Sequence, residues 1–206
     1  MAWCATLKET IDAHGAVVFG GNGYSAQWPK EAVEKRVLAN LKTAADALPV
    51  PKAPHIEALF SSLGVLSPVE LARRFGIYAE QHILAIEVEA KLVVSMAKTG
   101  IYPAVLKYPA VLSSSLGTLQ THGIKLDDAN LDVIGAQLGV MTDKVKQLAL
   151  ALSKHDFATV EGHRQFCAKT IRPLMDEVRH CADVLEGEVA SELWPYPTYQ
   201  EMLFIK

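Results

Sequence analysis

Basic residues never form a run in this sequence, and the formal net charge is -3. That balance predicts binding neither to nucleic acid nor to an acidic membrane surface. No apolar stretch approaches the ~18 residues of a membrane span. The start, MAWCATLKETID, has no basic segment followed by an apolar run and does not read as a signal peptide. Cysteine is scarce: Cys4, Cys167 and Cys181 make no disulfide framework. Cys167 and Cys181 stand on one predicted helix, roughly 21 Å apart by helical rise, too far to bridge. Free thiols fit a reducing, cytoplasmic setting. Gly-x-Ser-x-Gly, a phosphate loop ending in Gly-Lys, and Cys-x-x-Cys are all missing. There is no internal repeat and no low-complexity tract.

What is present is apolar. Half of the 206 residues are hydrophobic and 21% are charged, enough to build a core in one domain or in one domain plus a smaller part. The stretch 67–100 organises the rest. Ser67 suits an N-cap, Pro68 the first helical position, and Glu70 completes a capping box. Gly100 reads as a left-handed stop, with Lys98 in the last turn. A helix between these signals is roughly 48 Å long. Leu71, Phe75, Tyr78, Ala79, Ile83, Ile86, Ala90, Val93, Met96 and Ala97 form its apolar stripe. A helix of this length needs partners along all of it.

Upstream, residues 2–12 read as a short helix and 16–19 as a brief strand. A glycine turn at 20–23 leads to a helix over 26–37 capped by Ser25, and Thr43 caps a further short helix. One strand of four residues cannot satisfy its own backbone, so its partners lie on another chain or on more of this one. Three prolines in 49–54 favour a stiff, extended linker. Beyond it, helices are expected over 54–63, 68–99, 103–121, 127–139, 141–154 and 157–191. Asp127 or Asp128 caps the fourth and Thr142 the fifth, and Pro173 kinks the last. The last helix buries Val160, Phe166, Cys167, Thr170, Leu174, Val178, Cys181, Ala182, Leu185 and Val189.

Candidate chemistry is thin. Gly21-x-Gly23-x-x-Ala26 has the spacing of a dinucleotide-binding turn, but no second parallel strand follows, and a plain glycine turn accounts for it better. Glu177-x-x-His180 is half of a di-iron bundle motif without its second copy; a solvated face beside Asp176 and Arg179 is the better reading. Glu80, His82, Glu87 and Glu89 suggest an acid/base or metal cluster, yet His82 and Glu89 are two turns apart and reach one ion only with a partner helix. His163 and Cys167, at i and i+4, have the spacing of a base and a nucleophile, a spacing chance also supplies. The tail is different. Trp194, Tyr196, Tyr199, Met202, Leu203, Phe204 and Ile205 are too apolar for a free terminus, and docking on its own domain is favoured over docking on a neighbour. Trp194, Tyr196, Tyr199, Leu203 and Phe204 are the candidate interaction surface.

Three further stretches stand out. The first is Gly21-Asn22-Gly23-Tyr24-Ser25-Ala26-Gln27-Trp28, continuing through Asn40-Leu41-Lys42-Thr43 to Asp46-Ala47-Leu48-Pro49. The second is Ile86-Glu87-Val88-Glu89-Ala90 with Met96-Ala97-Lys98-Thr99-Gly100-Ile101-Tyr102-Pro103-Ala104. The third is Trp194-Pro195-Tyr196-Pro197-Thr198-Tyr199-Gln200-Glu201-Met202-Leu203-Phe204. Together they resemble type III glutamine synthetases, in which they occur in the same order, and the resemblance covers nearly the whole chain, least closely at 110–160. Arg36-Val37-Leu38 departs from the family's Arg-Gly-Leu.

The resemblance implies glutamine formation from glutamate, ammonia and ATP with Mg or Mn, in a ring-shaped homo-oligomer. It covers only the family's C-terminal part. The family's metal carboxylates, ATP contacts and glutamate-binding residues lie upstream, so no catalytic, cofactor or metal residue carries over to this chain. The expected fold is mainly α: a C-terminal helical bundle over 51–206 with one long central helix, preceded over 1–50 by a short helix-strand-helix remnant of an α+β catalytic domain. The expected role is structural, beside the catalytic domain of the same enzyme, with no nucleic acid and no membrane as partner. The alternatives are a free-standing helical protein-interaction module, and a small-molecule or metal enzyme using Gly21–Ala26 or a bundle site.

Overall fold

Capping chemistry sets where the helices begin. The Glu70 N–H donates to Ser67 Oγ (3.3 Å) while the Ser67 N–H donates to Glu70 Oε2 (2.8 Å), the expected capping box. The Asp46 N–H donates to Thr43 Oγ1 (3.2 Å) and the Gly162 N–H to Thr159 Oγ1 (3.0 Å). The computed structural model describes residues 2–123, 129–197 and 199–203. Its helices are α1 (Ala2–His14), α2 (Gln27–Glu34), α3 (Ala44–Ala47), α4 (Pro54–Ser62), α5 (Pro68–Met96), α6 (Tyr102–Thr121), α7 (Ala129–Leu152), α8 (Val160–Phe166), α9 (Arg172–Glu188) and α10 (Tyr199–Leu203). The chain forms two compact units, Met1–Lys42 and Thr43–Lys206.

In the first unit, the expected strand is absent. Gly15–Val17 closes a 3-10 turn in which the Val18 N–H donates to the Gly15 carbonyl (3.0 Å), and 18–20 have no regular secondary structure. Among the described residues no segment forms a strand. The helix-strand-helix remnant is therefore corrected to helix, 3-10 turn, helix. The β preference of 16–19 has nothing to pair with here, and unpaired extended backbone does not persist as a strand. Phe19 instead folds back onto Trp28, ring centroids 4.0 Å apart, with the Arg36 guanidinium 5.2 and 5.3 Å from the two rings. Arg36 also donates to the Ala16 carbonyl (2.8 Å) and pairs with Glu31 (3.4 Å).

The second unit is the expected mainly helical body around a long central helix. α5 packs on α7, α8 and α9, α7 runs against α9, and α6 covers one end of α7. Leu71, Ala79, Ile83, Ile86 and Ala90 form the buried face of α5, as their spacing requires, whereas Tyr78 is half-exposed. One core joins Ile101, Val105, Met141, Val145, Cys181 and Leu185; a second joins Ile83, Ile86, Ala90, Leu148, Cys167 and Ile171. The proline segment forms a 3-10 turn, Val50–Lys52, and Pro54 opens α4. Lys52 lies 4.5 Å from the centre of the Phe75 ring on α5.

Two boundaries fall elsewhere than expected. Gly100 does not stop the long helix, which passes into α6 through a π-turn, Ala97–Ile101. A second π-turn, Cys167–Ile171, joins α8 to α9. Both end in Ile-x-Pro: Ile101-Tyr102-Pro103 and Ile171-Arg172-Pro173. A proline has no N–H, and its ring crowds the carbonyl four residues back. In each case the wider turn precedes the proline, the residue before the proline bonds five residues back (Tyr102 to Ala97, Arg172 to Cys167), and the helix carries on. The second shift is at Thr142, which caps nothing. Its hydroxyl donates to the Leu138 carbonyl (2.7 Å), so the two helices expected over 127–154 are one, α7. The caps expected at Asp127 or Asp128 lie outside the described residues.

Candidate functional site

The tail returns over the first π-turn. A 3-10 turn, Ser191–Leu193, ends the α9 region, and the chain then leaves helical geometry at Trp194. Trp194 and Tyr196 are half-buried against the core formed by α6, α7, α9 and the π-turn. The Tyr196 hydroxyl donates to the Met96 carbonyl (3.2 Å) at the mouth of the π-turn. Its ring lies so close over Gly100 that a side-chain carbon there would stand 2.8 Å from Tyr196 Cζ. Gly100 is thus a landing place for Tyr196. Met96, Ile101, Ala182, Trp194, Tyr196 and Met202 line a cavity of about 330 Å³ whose rim carries Arg179, Asp183 and Glu186. Arg179 donates to Asp183 (2.5 Å). The floor is apolar and the ionic groups sit at the edge, the character of a surface for side chains.

Leu203, another predicted tail residue, does not join this seat. Leu203 is 77% exposed on α10. Tyr199 opens α10, and Phe204 lies outside the described residues.

The polar candidates are closed in pairs. His163 Nε2 donates to Glu87 Oε1 (2.9 Å), and Phe157 stacks on the imidazole at 4.1 Å. Lys91 stands 3.9 Å from the other Glu87 oxygen. Cys167 is fully buried, and burial, helped by the Glu87 charge, pushes its thiol up to about 11. His163 therefore serves Glu87, and Cys167 stays protonated; they are not a nucleophile and base. Glu177 pairs with Lys144 from α7, and Glu80 and Glu89 are exposed. Burial, with Arg164 and Arg172 nearby, holds His82 below the usual histidine range. Gly21 makes room for Phe19, since a side-chain carbon there would lie 2.6 Å from that ring, and no strand precedes it. The dinucleotide-turn alternative thus loses its strand-turn-helix frame.

Arg164 is the residue that sequence reasoning missed. It is fully buried, forms a two-pronged pair with Glu161, and donates to the Ala44 carbonyl (3.5 Å). It ties α3 to α8. Its signal was Glu161-x-x-Arg164 just inside the Thr159 cap, where the acid and base share a helix face. Among the described residues, no three His, Cys, Asp or Glu side chains converge as metal ligands, and no helix is long and apolar enough to cross a membrane.

The class these features define is a helical body with an apolar seat for its own tail. The family comparison gives it a name: the model of the glutamine synthetase C-terminal domain matches residues 2–120, and the chain belongs to that family. It is 31% identical over 209 residues to the type-3 glutamine synthetase of Dictyostelium discoideum, covering 97% of this chain and 28% of that protein. It is 32% identical over 209 residues to a glutamine synthetase of Butyrivibrio fibrisolvens, covering 96% and 29%. With a glutamine synthetase of Bacteroides fragilis (strain YCH46) it shares 26% over 212 residues, covering 97% and 28%. The chain thus spans under a third of the length of these relatives.

Proposed function

We propose that this chain is the architectural C-terminal region of an ATP-dependent glutamate–ammonia ligase of the type III kind. In this role it packs beside the catalytic domain of the same enzyme and contributes to contacts in a cytoplasmic homo-oligomer. The observation that carries the reading is the lopsided coverage: the match takes in 97% of this chain but 28% of the type-3 relative, and the matching model describes a C-terminal domain. Residues 1–50 go with the catalytic part and 51–206 form the helical domain. The compact unit Met1–Lys42 lies inside the first of these, while 43–50 fold with the second unit, where Arg164 donates to the Ala44 carbonyl.

ATP and divalent Mg or Mn belong to the family's chemistry, and the residues here do not fit them. Glu87 is bonded to His163, Glu177 is paired with Lys144, and among the described residues no three His, Cys, Asp or Glu side chains converge at either place. Charge neutralisation at a transferring phosphoryl group needs such donors or cations held around it, so no catalytic step is assigned to this chain. The test is direct. The purified chain is assayed for γ-glutamyl transfer and for ATP binding with Mg²⁺ or Mn²⁺. The expected result is no turnover and no ATP affinity in the micromolar range; either one overturns the reading.

A further inference from the structure

The first compact unit carries an apolar face that nothing in the unit covers. Trp3, Leu7 and Ile11 recur every four residues along α1, which places them on one side of three successive turns, and they are 84%, 58% and 64% exposed. Val17 and Val18 follow at 84% and 74%, and Tyr24 is fully exposed. Single exposed apolar side chains are ordinary, but three in succession along one side of a helix mark a contact surface. The unit's own aromatic pair, Phe19 and Trp28, is engaged with Arg36.

We infer that this face, centred on Trp3, Leu7 and Ile11, is the docking surface for the catalytic part of the same enzyme. The inference rests on the proposed function and names the surface through which it operates. The occupant follows from where the remaining length lies. Some seven-tenths of the type-3 relative falls outside the match, and the matched part is a C-terminal domain, so that length belongs on the amino-terminal side, where α1 stands. Burying three large apolar side chains in one contact also gives the first unit, in which no described residue is buried, a hydrophobic anchor.

Cys4 is a built-in probe. It is exposed and follows Trp3 on α1, whereas Cys167 and Cys181 are buried. The experiment joins this chain, in place of the corresponding region, to the upstream part of the Dictyostelium type-3 glutamine synthetase. Maleimide labelling of Cys4 and amide exchange over residues 2–24 are followed by mass spectrometry in the chimera and in the chain alone. Docking predicts labelling and exchange at least ten-fold slower in the chimera. Trp3→Ala, Leu7→Ala and Ile11→Ala together should abolish that protection while leaving the melting of the chain alone unchanged. A chimera that forms glutamine yet labels as fast as the chain alone overturns the docking surface and leaves the proposed function standing. An inactive chimera with no protection overturns both. Protection that survives the triple substitution also overturns the surface.

Discussion

The Tyr196 hydroxyl donates to the Met96 carbonyl at 3.2 Å, joining the tail to the π-turn that carries the long helix onward. The same ring covers Gly100. In an ordinary helix interior, glycine to alanine stabilises by about 0.5–1 kcal/mol. Here the new carbon collides with the Tyr196 ring, so Gly100→Ala should instead destabilise by about 1–2 kcal/mol. In a Tyr196→Ala background the sign should reverse, because the space is then open. Urea melts of the four proteins form the cycle. The effects should not vary with protein concentration, since both residues belong to one chain. A Gly100→Ala change that stabilises in both backgrounds would show that the tail is not seated there.

Val37 has φ +55°, a left-handed conformation that strains a β-branched residue. The Leu38 N–H donates back to the Ala32 carbonyl (2.9 Å), closing the end of α2 around that residue. The resemblance to type III glutamine synthetases implies a glycine at this position. Val37→Gly should relieve the strain, worth about 1–2 kcal/mol, against glycine's extra flexibility when unfolded, about 0.5–1 kcal/mol. The net expectation is a two- to five-fold slowing of amide exchange at Leu38. Faster exchange in the variant would contradict the strain argument.

Cys167 sets an alkaline limit. Its thiol is raised from the ordinary range to about 11, first by burial and then by Glu87. A raised pKa means that the folded state holds the proton more tightly. The stabilisation is fully present below the unfolded value and is lost as pH rises through the folded one, between about pH 9 and pH 11. Two pH units correspond to about 2–3 kcal/mol at most. Burial raises Cys181 too, so Cys167→Ala should flatten the alkaline fall in stability without abolishing it. Thermal melts from pH 8 to 11 check this, and identical slopes in the two proteins would remove Cys167 from the account.

What the sequence revealed was local. The capping box at Ser67 and Glu70, the cap at Thr43, and the buried stripes of α5 and α9 each depend on residues a few positions apart. What stayed hidden depends on distant partners. Gly100 looked like a helix stop because the tyrosine that needs it lies nearly a hundred residues away. The run at 16–19 had strand chemistry without a neighbouring strand to use it. Arg164 was hidden because a charged residue is expected at the surface, and only the Ala44 carbonyl and Glu161 together make its burial tolerable. In the tail, Trp194 and Tyr196 meet the core, while Leu203 faces outward. The apolar composition announced contact without saying which side chains make it.

The central claim is that this chain supplies architecture and another part of the same enzyme supplies chemistry. Its most direct test is the rate of glutamine formation by the Dictyostelium type-3 enzyme in two forms: truncated where the match to this chain begins, and truncated but rejoined to this chain. The account predicts that truncation abolishes the rate and that rejoining restores it to within about ten-fold of the parent. A truncated enzyme that runs at the parent's rate, with this chain adding nothing, would contradict it.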